Sequence, residues 1–522
     1  MSAHSPYAGP FPDENLPEGA VVDGEKTTGA IDGEFDFVVV GTGAAGAVAA
    51  HTLASSGYSV AMVEEGPWVK TREFKLDVYS GFARMMRDAA TQALEGRSYM
   101  PMLQAVCVGG STLVNSAIAW RVPEDVLVDW SRDFGLEDTL RAEDLAEHFD
   151  ALEQDLSVRP VSDEALGENN RLFLERGEKN GWDVNRMRRY DRGCAGHGRC
   201  LQGCPKAAKQ GMNVSYVPWA LELGARVYAS CKVLRVDVQN GRAKGVVAKS
   251  RAGHDVTLRA KRGVFVAAST IQTPNILLHS GLSSRVLGRH FMAHPGIAVA
   301  GVFDKPVHMD VGASQGAESI HFRKTRRFKL ETIEMPPELA AARMPGAGRA
   351  LMRRIADYAH VGVWAVQIRA RAEGVVKTGW GGRDKVVYSL SDDDVAIARD
   401  ALGVLSKMMI DQGAKEIWPG VHGMPTTIKQ GDDLGVLERA SLDPRAYNFV
   451  ATHLFGAARM GPDPRSSVVG LDFQTHEAKG LYVVDSSIFP TNLGVNPQHT
   501  IMAISRLAAT RAAAEAWTTK VA

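Results

Sequence analysis

The first clear hydrophobic pattern is the run from Phe35 to Val40, mostly apolar and without alternation, as in a strand buried on both faces. After a glycine-rich break, an alanine-rich stretch from about Ala44 to Ser56 predicts a helix, which Gly57 stops. A second apolar run, Tyr58 to Val63, predicts another strand, and the order strand, turn, helix, strand predicts a parallel βαβ unit. Farther along, "VFVAASTIQTPNILLHSGL" reads as an apolar strand followed by a proline-punctuated helix, and "LYVVDSSIFP" as a buried strand ending in a polar turn. In "RDKVVYSLSDDDVAIARDALGVLSKMMIDQGAKEIW" a strand precedes a helix start at Ser391 to Asp394 with capping-box character, and an amphipathic helix ends near Gly413. The run "EMPPELAAARMPGAGRALMRRIADYAHVGVWA" reads first as an ordinary pair of surface helices. A cap over an apolar channel and a peripheral membrane contact are the alternatives.

Length and charge narrow the class. At 522 residues the chain exceeds what one core usually supports, so two domains, or one large domain with insertions, are expected. Sixty basic residues balance sixty acidic ones, so no net field gathers nucleic acid, and a small-molecule partner is expected. Residues 1–34 lack the basic start and apolar run of a signal peptide and read as a mobile polar leader. No stretch of about 18 apolar residues occurs, and five cysteines, an odd number, suit a reducing compartment; a cytoplasmic location is expected.

Gly41, Gly43 and Gly46 give the G-x-G-x-x-G spacing of a dinucleotide site. The first permits the tight turn, the second lets backbone approach a pyrophosphate, and the third lets helix pack on strand. The next helix would offer its unpaired N–H groups to the phosphates, and Glu64 or Glu65 at the end of the second strand could bind ribose hydroxyls. Gly109, Gly110 and Ser111 form a second flexible, donor-rich loop.

The segments "VCVGGSTLVNSAIAW", "VFVAASTIQTPNILLHSGL", "GRHFMAHPG", "THLFGAARMGPDPRSSVVG" and "GLYVVDSSIFPTNLGVNPQHTIMAISRLAA" together resemble the glucose-methanol-choline (GMC) family of flavin oxidoreductases. Ser269, Thr270, Thr273, Pro274, Ile276, Leu277, Ser280, Gly281 and Leu282 match the family's second signature, with Ser283 where a glycine is usual. The resemblance implies FAD, bound covalently or not, and oxidation of an alcohol by hydride transfer. It places Gly41, Gly43 and Gly46 on the FAD pyrophosphate and Glu64 on the ribose. Gly110, Ser111 and Asn115 fall near the flavin, the Val233 backbone at the adenine, and Asp485 near the phosphate and ribitol.

Oxidising an alcohol requires a base for the hydroxyl proton, and histidine supplies a neutral acceptor near its ordinary pKa of about 6.5. By resemblance His453 is that base, with Ala458 where the family usually has cysteine. Asn496, which could also cap the helix from Pro497, is the favoured second residue holding the substrate oxygen, and His499 is a lesser candidate that could face the helix interior. His290 and His294 read as structural.

Three of the five cysteines, Cys194, Cys200 and Cys204, crowd into the glycine-rich stretch "CAGHGRCLQGCPKAAKQ". On composition alone they could hold an iron-sulfur cluster, bind zinc with His197 as fourth ligand, form one disulfide with a thiol spare, or brace a compact reduced loop. Their spacing resembles two branches of the family, flavin subunits of membrane-bound sugar dehydrogenases and long-chain alcohol oxidases; in the first branch the thiolates hold a three-iron (3Fe–4S) cluster.

The expected architecture is therefore α/β, a Rossmann-like FAD-binding domain with a discontinuous, largely antiparallel substrate-binding domain. The first should collect 35–120, 205–300 and 440–522, and the second 121–204 and 301–439. The expected activity is FAD-dependent oxidation of a fatty or other hydrophobic alcohol, or a sugar, with oxygen, a quinone or a cytochrome as acceptor. A nicotinamide-linked oxidoreductase and a noncatalytic electron-transfer flavoprotein are the rivals.

Overall fold

The apolar run before the glycines forms the strand Ile31–Val40, whose last four residues are buried. Two parallel neighbours enclose it, Val60–Val63 on one side and Asp255–Val266 on the other, which is why this segment lacks a polar face. A computed structural model describes residues 11–521. The parallel pairing continues through Arg226–Ala229 to Val21–Asp23 at one edge, and Ala478–Val483 joins Asp255–Val266 toward the other. Cys231–Gln239 and Arg242–Ser250 add an antiparallel hairpin to this nine-stranded sheet. The helix Ala44–Ser55 covers it together with the last helix, Gln498–Val521, and Ser505 Oγ donates to Ala45 O at 2.7 Å where the two meet.

The leader differs from expectation. Residues 1–10 lie outside the described residues, but parts of 11–34 are anchored to the fold. Val21–Asp23 is a sheet strand, and buried Asp13 accepts from the amide and hydroxyl of Thr71 at 2.7 and 3.1 Å.

The second sheet has ten strands, paired antiparallel. Its longest strand, Arg289–Val302, pairs with Val450–Phe455 so that His294 stands opposite His453. On its other side Gly296 stands opposite Gln367, and Gln367 opposite Lys329 of the strand Phe328–Thr332. Side chains two apart share a face, so His453, His294, Gln367, Lys329 and Glu331 form one polar row across the sheet. Glu318 extends the row, opposite Glu331. Two strands from segments expected in the FAD-binding domain, Arg289–Val302 and Val450–Phe455, thus belong to this second sheet.

Helix Asp392–Asp411 begins as its sequence predicts, with Ser391 Oγ accepting from the Asp394 amide at 3.1 Å. The Met, Ala and Arg run forms two helices, Pro337–Arg343 and Gly348–Ala356, the second of which buries no side chain. Among the described residues no helix is long and apolar enough to cross a membrane.

Candidate active site

The backbone turns sharply after Val40 because Gly41 adopts φ of +93°, and a Cβ there would lie 2.4 Å from Ala267 O. Helix Ala44–Ser55 starts at once, with no side-chain cap and no acid in its first turn. Its amino end therefore turns unpaired N–H groups and a positive dipole toward a cavity of about 780 Å³, of which Gly41, Gly43, Ala44 and Ala45 form part of the wall. Gly46 is not on that wall. A Cβ there would stand 2.0 Å from Gly41 O, so its part is to let the helix cross the strand closely.

Glu64 lines the same cavity and is tied to the turn: Oε2 accepts from the amide and hydroxyl of Thr42 at 3.0 and 2.7 Å, and Oε1 from the Gly66 amide at 3.0 Å. Burial pushes its carboxyl up and these bonds oppose the shift. Glu65 also reaches the cavity but is held by Arg87 at 2.6 Å and Lys232 at 3.3 Å. Gly110, Ser111, Asn115 and Val233 line the cavity as well, and the Asn115 amide donates to Gln498 Oε1. Buried Asp485 joins them; it accepts from the Ser269 amide at 3.0 Å, Thr273 Oγ1 at 2.5 Å and the Ser487 amide at 2.8 Å, tying the end of its strand to the helix Ser269–His279.

His453 and Asn496 line this one cavity with the glycine turn. The Nδ1 atoms of His453 and His294 lie 3.3 Å apart, so His294, read from the sequence as structural only, is a direct neighbour of the candidate base. Gly494 N–H donates to His294 Nε2 at 2.9 Å and Gln367 meets its Nδ1 at 2.6 Å, which fixes that ring. Desolvation, and then the positive charge of Lys329, push the His453 imidazole down to about 3, which leaves the ring neutral with a free nitrogen lone pair at ordinary pH. Asn496 does not cap the last helix; its Oδ1 accepts from Lys329 Nζ at 2.7 Å. The sequence offered no motif around Lys329.

His499 is corrected. It is fully buried outside the cavity, with Nε2 3.3 Å from Glu153 Oε1 and its ring against Phe149 and Tyr190. Inside a helix it projects away from the wall that Asn496, just before that helix, helps to form.

The cysteine stretch surrounds a separate small cavity of about 20 Å³, lined by Cys194, His197, Cys200 and Cys204. All the cysteines are unbridged, which removes the disulfide reading. Buried Arg189 approaches Cys200 Sγ at 3.2 Å; burial pushes that thiol up, but Arg189 and Lys209 outweigh it and hold it at about 7. Among the described residues no group of three or more His, Cys, Asp and Glu side chains could hold a metal ion, so the three-iron and zinc readings gain no ligand set here. The bracing role has a visible basis. Lys209 Nζ donates to the carbonyls of Cys200, Leu113 and Asn115 at 2.8, 2.5 and 2.9 Å, fastening the stretch to the backbone beside the main cavity.

Two models of the GMC oxidoreductase family match the chain, the amino-terminal one over residues 35–296 and the carboxy-terminal one over 383–505. An uncharacterized GMC-type oxidoreductase of Mycobacterium tuberculosis is 33% identical over 475 residues, 90% of this chain and 74% of the relative. A long-chain-alcohol oxidase of Arabidopsis thaliana is 26% identical, covering 90% of this chain and 67% of the relative. The 2-methyl-1,2-propanediol dehydrogenase of Mycolicibacterium austroafricanum is 25% identical over 90% of this chain and 94% of its own. Formate oxidase of Aspergillus oryzae superposes with a TM-score of 0.71 at 16% identity, over 93% of this chain and 99% of that one. Pyridoxine 4-oxidase of Mesorbium loti gives 0.70 at 16% identity, over 91% and 98%.

Proposed function

The chain belongs to the GMC oxidoreductase family and is an FAD-dependent oxidoreductase acting on CH–OH donors; from that premise we propose that His453 takes the hydroxyl proton of an alcohol whose oxygen Asn496 holds. The single observation that carries this reading is the shared cavity: a glycine turn suited to a pyrophosphate, the half-buried imidazole of His453 and the amide of Asn496 all line one space.

The residues present fit FAD. Gly41 and Gly43, with the uncapped amino end of the first helix, would hold the pyrophosphate, Glu64 the ribose, and the Val233 backbone the adenine; Asp485 would stand near the phosphate and ribitol, and Gly110, Ser111 and Asn115 near the flavin. When bound, the cofactor supplies the hydride acceptor. The protein contributes orientation and proton handling. Asn496 hydrogen-bonds the substrate oxygen, and His453 accepts the proton from that oxygen, on a wall that also carries apolar Ile118, Leu103 and Leu454.

A fatty or other hydrophobic alcohol, or a sugar, is the substrate class we propose, with oxygen, a quinone or a cytochrome as the final acceptor. The test is anaerobic mixing of the purified yellow protein with dodecanol, 2-methyl-1,2-propanediol, pyridoxine and glucose while the visible flavin band is followed. Bleaching by at least one alcohol is expected; an oxidised band that none of them changes, in protein that dithionite does bleach, would overturn the reading.

A further inference from the structure

Lys329 has no access to solvent. Its Nζ lies 2.5 Å from Glu318 Oε2, 3.4 Å from Glu331 Oε2 and 2.7 Å from Asn496 Oδ1, so three acceptors surround an ammonium that carries three donors. The Trp120 ring covers it at 5.6 Å, and Trp120 Nε1 donates to the same Glu318 oxygen at 2.8 Å. Burying a charge of this kind is costly, and replacing such a group by apolar side chains often leaves a fold as stable or more so. Two strand carboxylates and a lysine are thus assembled around one amide that lines the active-site cavity.

The chemistry of the neighbour assigns the orientation of that amide. The oxygen and nitrogen ends of an asparagine have nearly the same shape, but an ammonium has no lone pair and can only donate. The end of Asn496 that faces Lys329 is therefore the oxygen, and Nδ2, a donor, is left for the cavity. We infer that Lys329 is a positioning residue for alcohol oxidation: by holding Asn496 Oδ1 it presents the Nδ2 donor to the substrate oxygen as that oxygen gives up its proton. The inference rests on the roles of His453 and Asn496 proposed above. With the amide reversed, Oδ1 would face the hydroxyl, compete with His453 for its proton and repel the negative charge that grows on the oxygen.

Lys329 itself is not on the cavity wall and takes part in no bond change. Its charge nevertheless reaches His453, where it adds to burial in disfavouring the imidazolium. The other titratable groups around that ring are His294 on the adjacent strand, with Glu318 and Glu331 behind the lysine.

Three variants test this: Lys329→Met, Lys329→Arg, and Lys329→Gln combined with Glu318→Gln, which removes both members of the ion pair. The Met and double variants are also made in an Asn496→Ala background, and all are assayed anaerobically with the fastest alcohol of the panel. Expected are flavin content as in the unaltered protein, reduction at least tenfold slower at saturating alcohol for the Met and double variants, and no further loss when Asn496→Ala is already present. Lys329→Arg, which keeps the charge and the donors, should recover part of the rate. In protein with ring-labelled histidine, Lys329→Met should raise the pKa of the His453 signal because a nearby positive charge is gone. Unchanged reduction, or a loss that adds in full to that of Asn496→Ala, would overturn the inference while the function stands. An unaltered protein that no alcohol reduces would overturn the function first, and this inference with it.

Discussion

The carboxylate of Glu64 accepts both the amide and the hydroxyl hydrogen of Thr42, locking the end of the second strand to the glycine turn. Thr42 Oγ1 in turn accepts from the Gly109 amide at 3.0 Å, so one threonine links the first glycine turn, the acid and the second glycine loop. Removing the carboxylate frees the first glycine turn and Gly66 from the end of the second strand, while the Gly109 bond to Thr42 stays. Glu64→Ala should weaken FAD binding by roughly ten- to a hundredfold, as expected when hydrogen bonds to a buried charged group are lost. The flavin-to-protein absorbance ratio after dialysis checks this; full retention would show that the acid is dispensable for the cofactor.

Gly46→Ala replaces the poorest common helix former by the best, a change that would normally stabilise an exposed helix. Here the added carbon would meet Gly41 O at 2.0 Å, with backbone on both sides of the clash. Overpacking of this sort costs about 1–3 kcal/mol. The variant should melt at lower temperature than the unaltered protein, and a higher melting temperature would contradict the close crossing of helix and strand.

The ion cluster around His499 makes a prediction about acid. Burial pushes the Glu153 carboxyl up, but His499, Arg121 and Arg188 more than offset this and hold it well below the usual carboxylate range. A depressed carboxyl pKa contributes stability that is complete above about pH 4.5 and is lost as pH falls toward the folded value. Between about pH 5 and 3 the protein should therefore lose stability more steeply than a Glu153→Gln variant, which at neutral pH should be less stable by roughly 1–2 kcal/mol after solvent screening. Urea melts across that range measure both slopes. Parallel slopes would show that the cluster contributes nothing.

How much of this was legible in the sequence depended on whether the chemistry was local. The strand, turn, helix and strand around Gly41 to Glu64 lie within one continuous segment, and the observed elements Ile31–Val40, Ala44–Ser55 and Val60–Val63 differ from the expected ones only at their ends. The neighbours of His453 were not local. His294 reaches it through strand register, and nothing in "GRHFMAHPG" states which strand will lie alongside. Lys329 and Glu331 alternate with Phe328 and Leu330, a pattern that reads as a strand with one wet face; the structure buries that face under Trp120 and the segment bearing Asn496. His499 was ambiguous because a single step along a helix turns a side chain by about 100°, and the sequence does not say where the last turn before Asn496 ends. Likewise the leader looked mobile because its strand, Val21–Asp23, is short and finds its partner some two hundred residues away.

Because burial and Lys329 hold His453 down to about 3, its protonation should not limit the reaction near its ordinary pKa. The acid limb of alcohol-driven flavin reduction should accordingly lie well below pH 6.5, and Lys329→Met should move it upward. Single-turnover rates measured from pH 5 to 9 test this. A limb centred near 6.5 would mean that the imidazole is solvated in the working enzyme.

The most direct test of His453 as the base is anaerobic stopped-flow reduction of the FAD-loaded His453→Ala variant beside the unaltered protein, with the same alcohol and equal flavin occupancy. The expected result is a rate of flavin bleaching lower by roughly a hundred- to ten-thousandfold, the usual contribution of a positioned base, with flavin binding retained. Bleaching at the unaltered rate would contradict that role and leave the proton to another group.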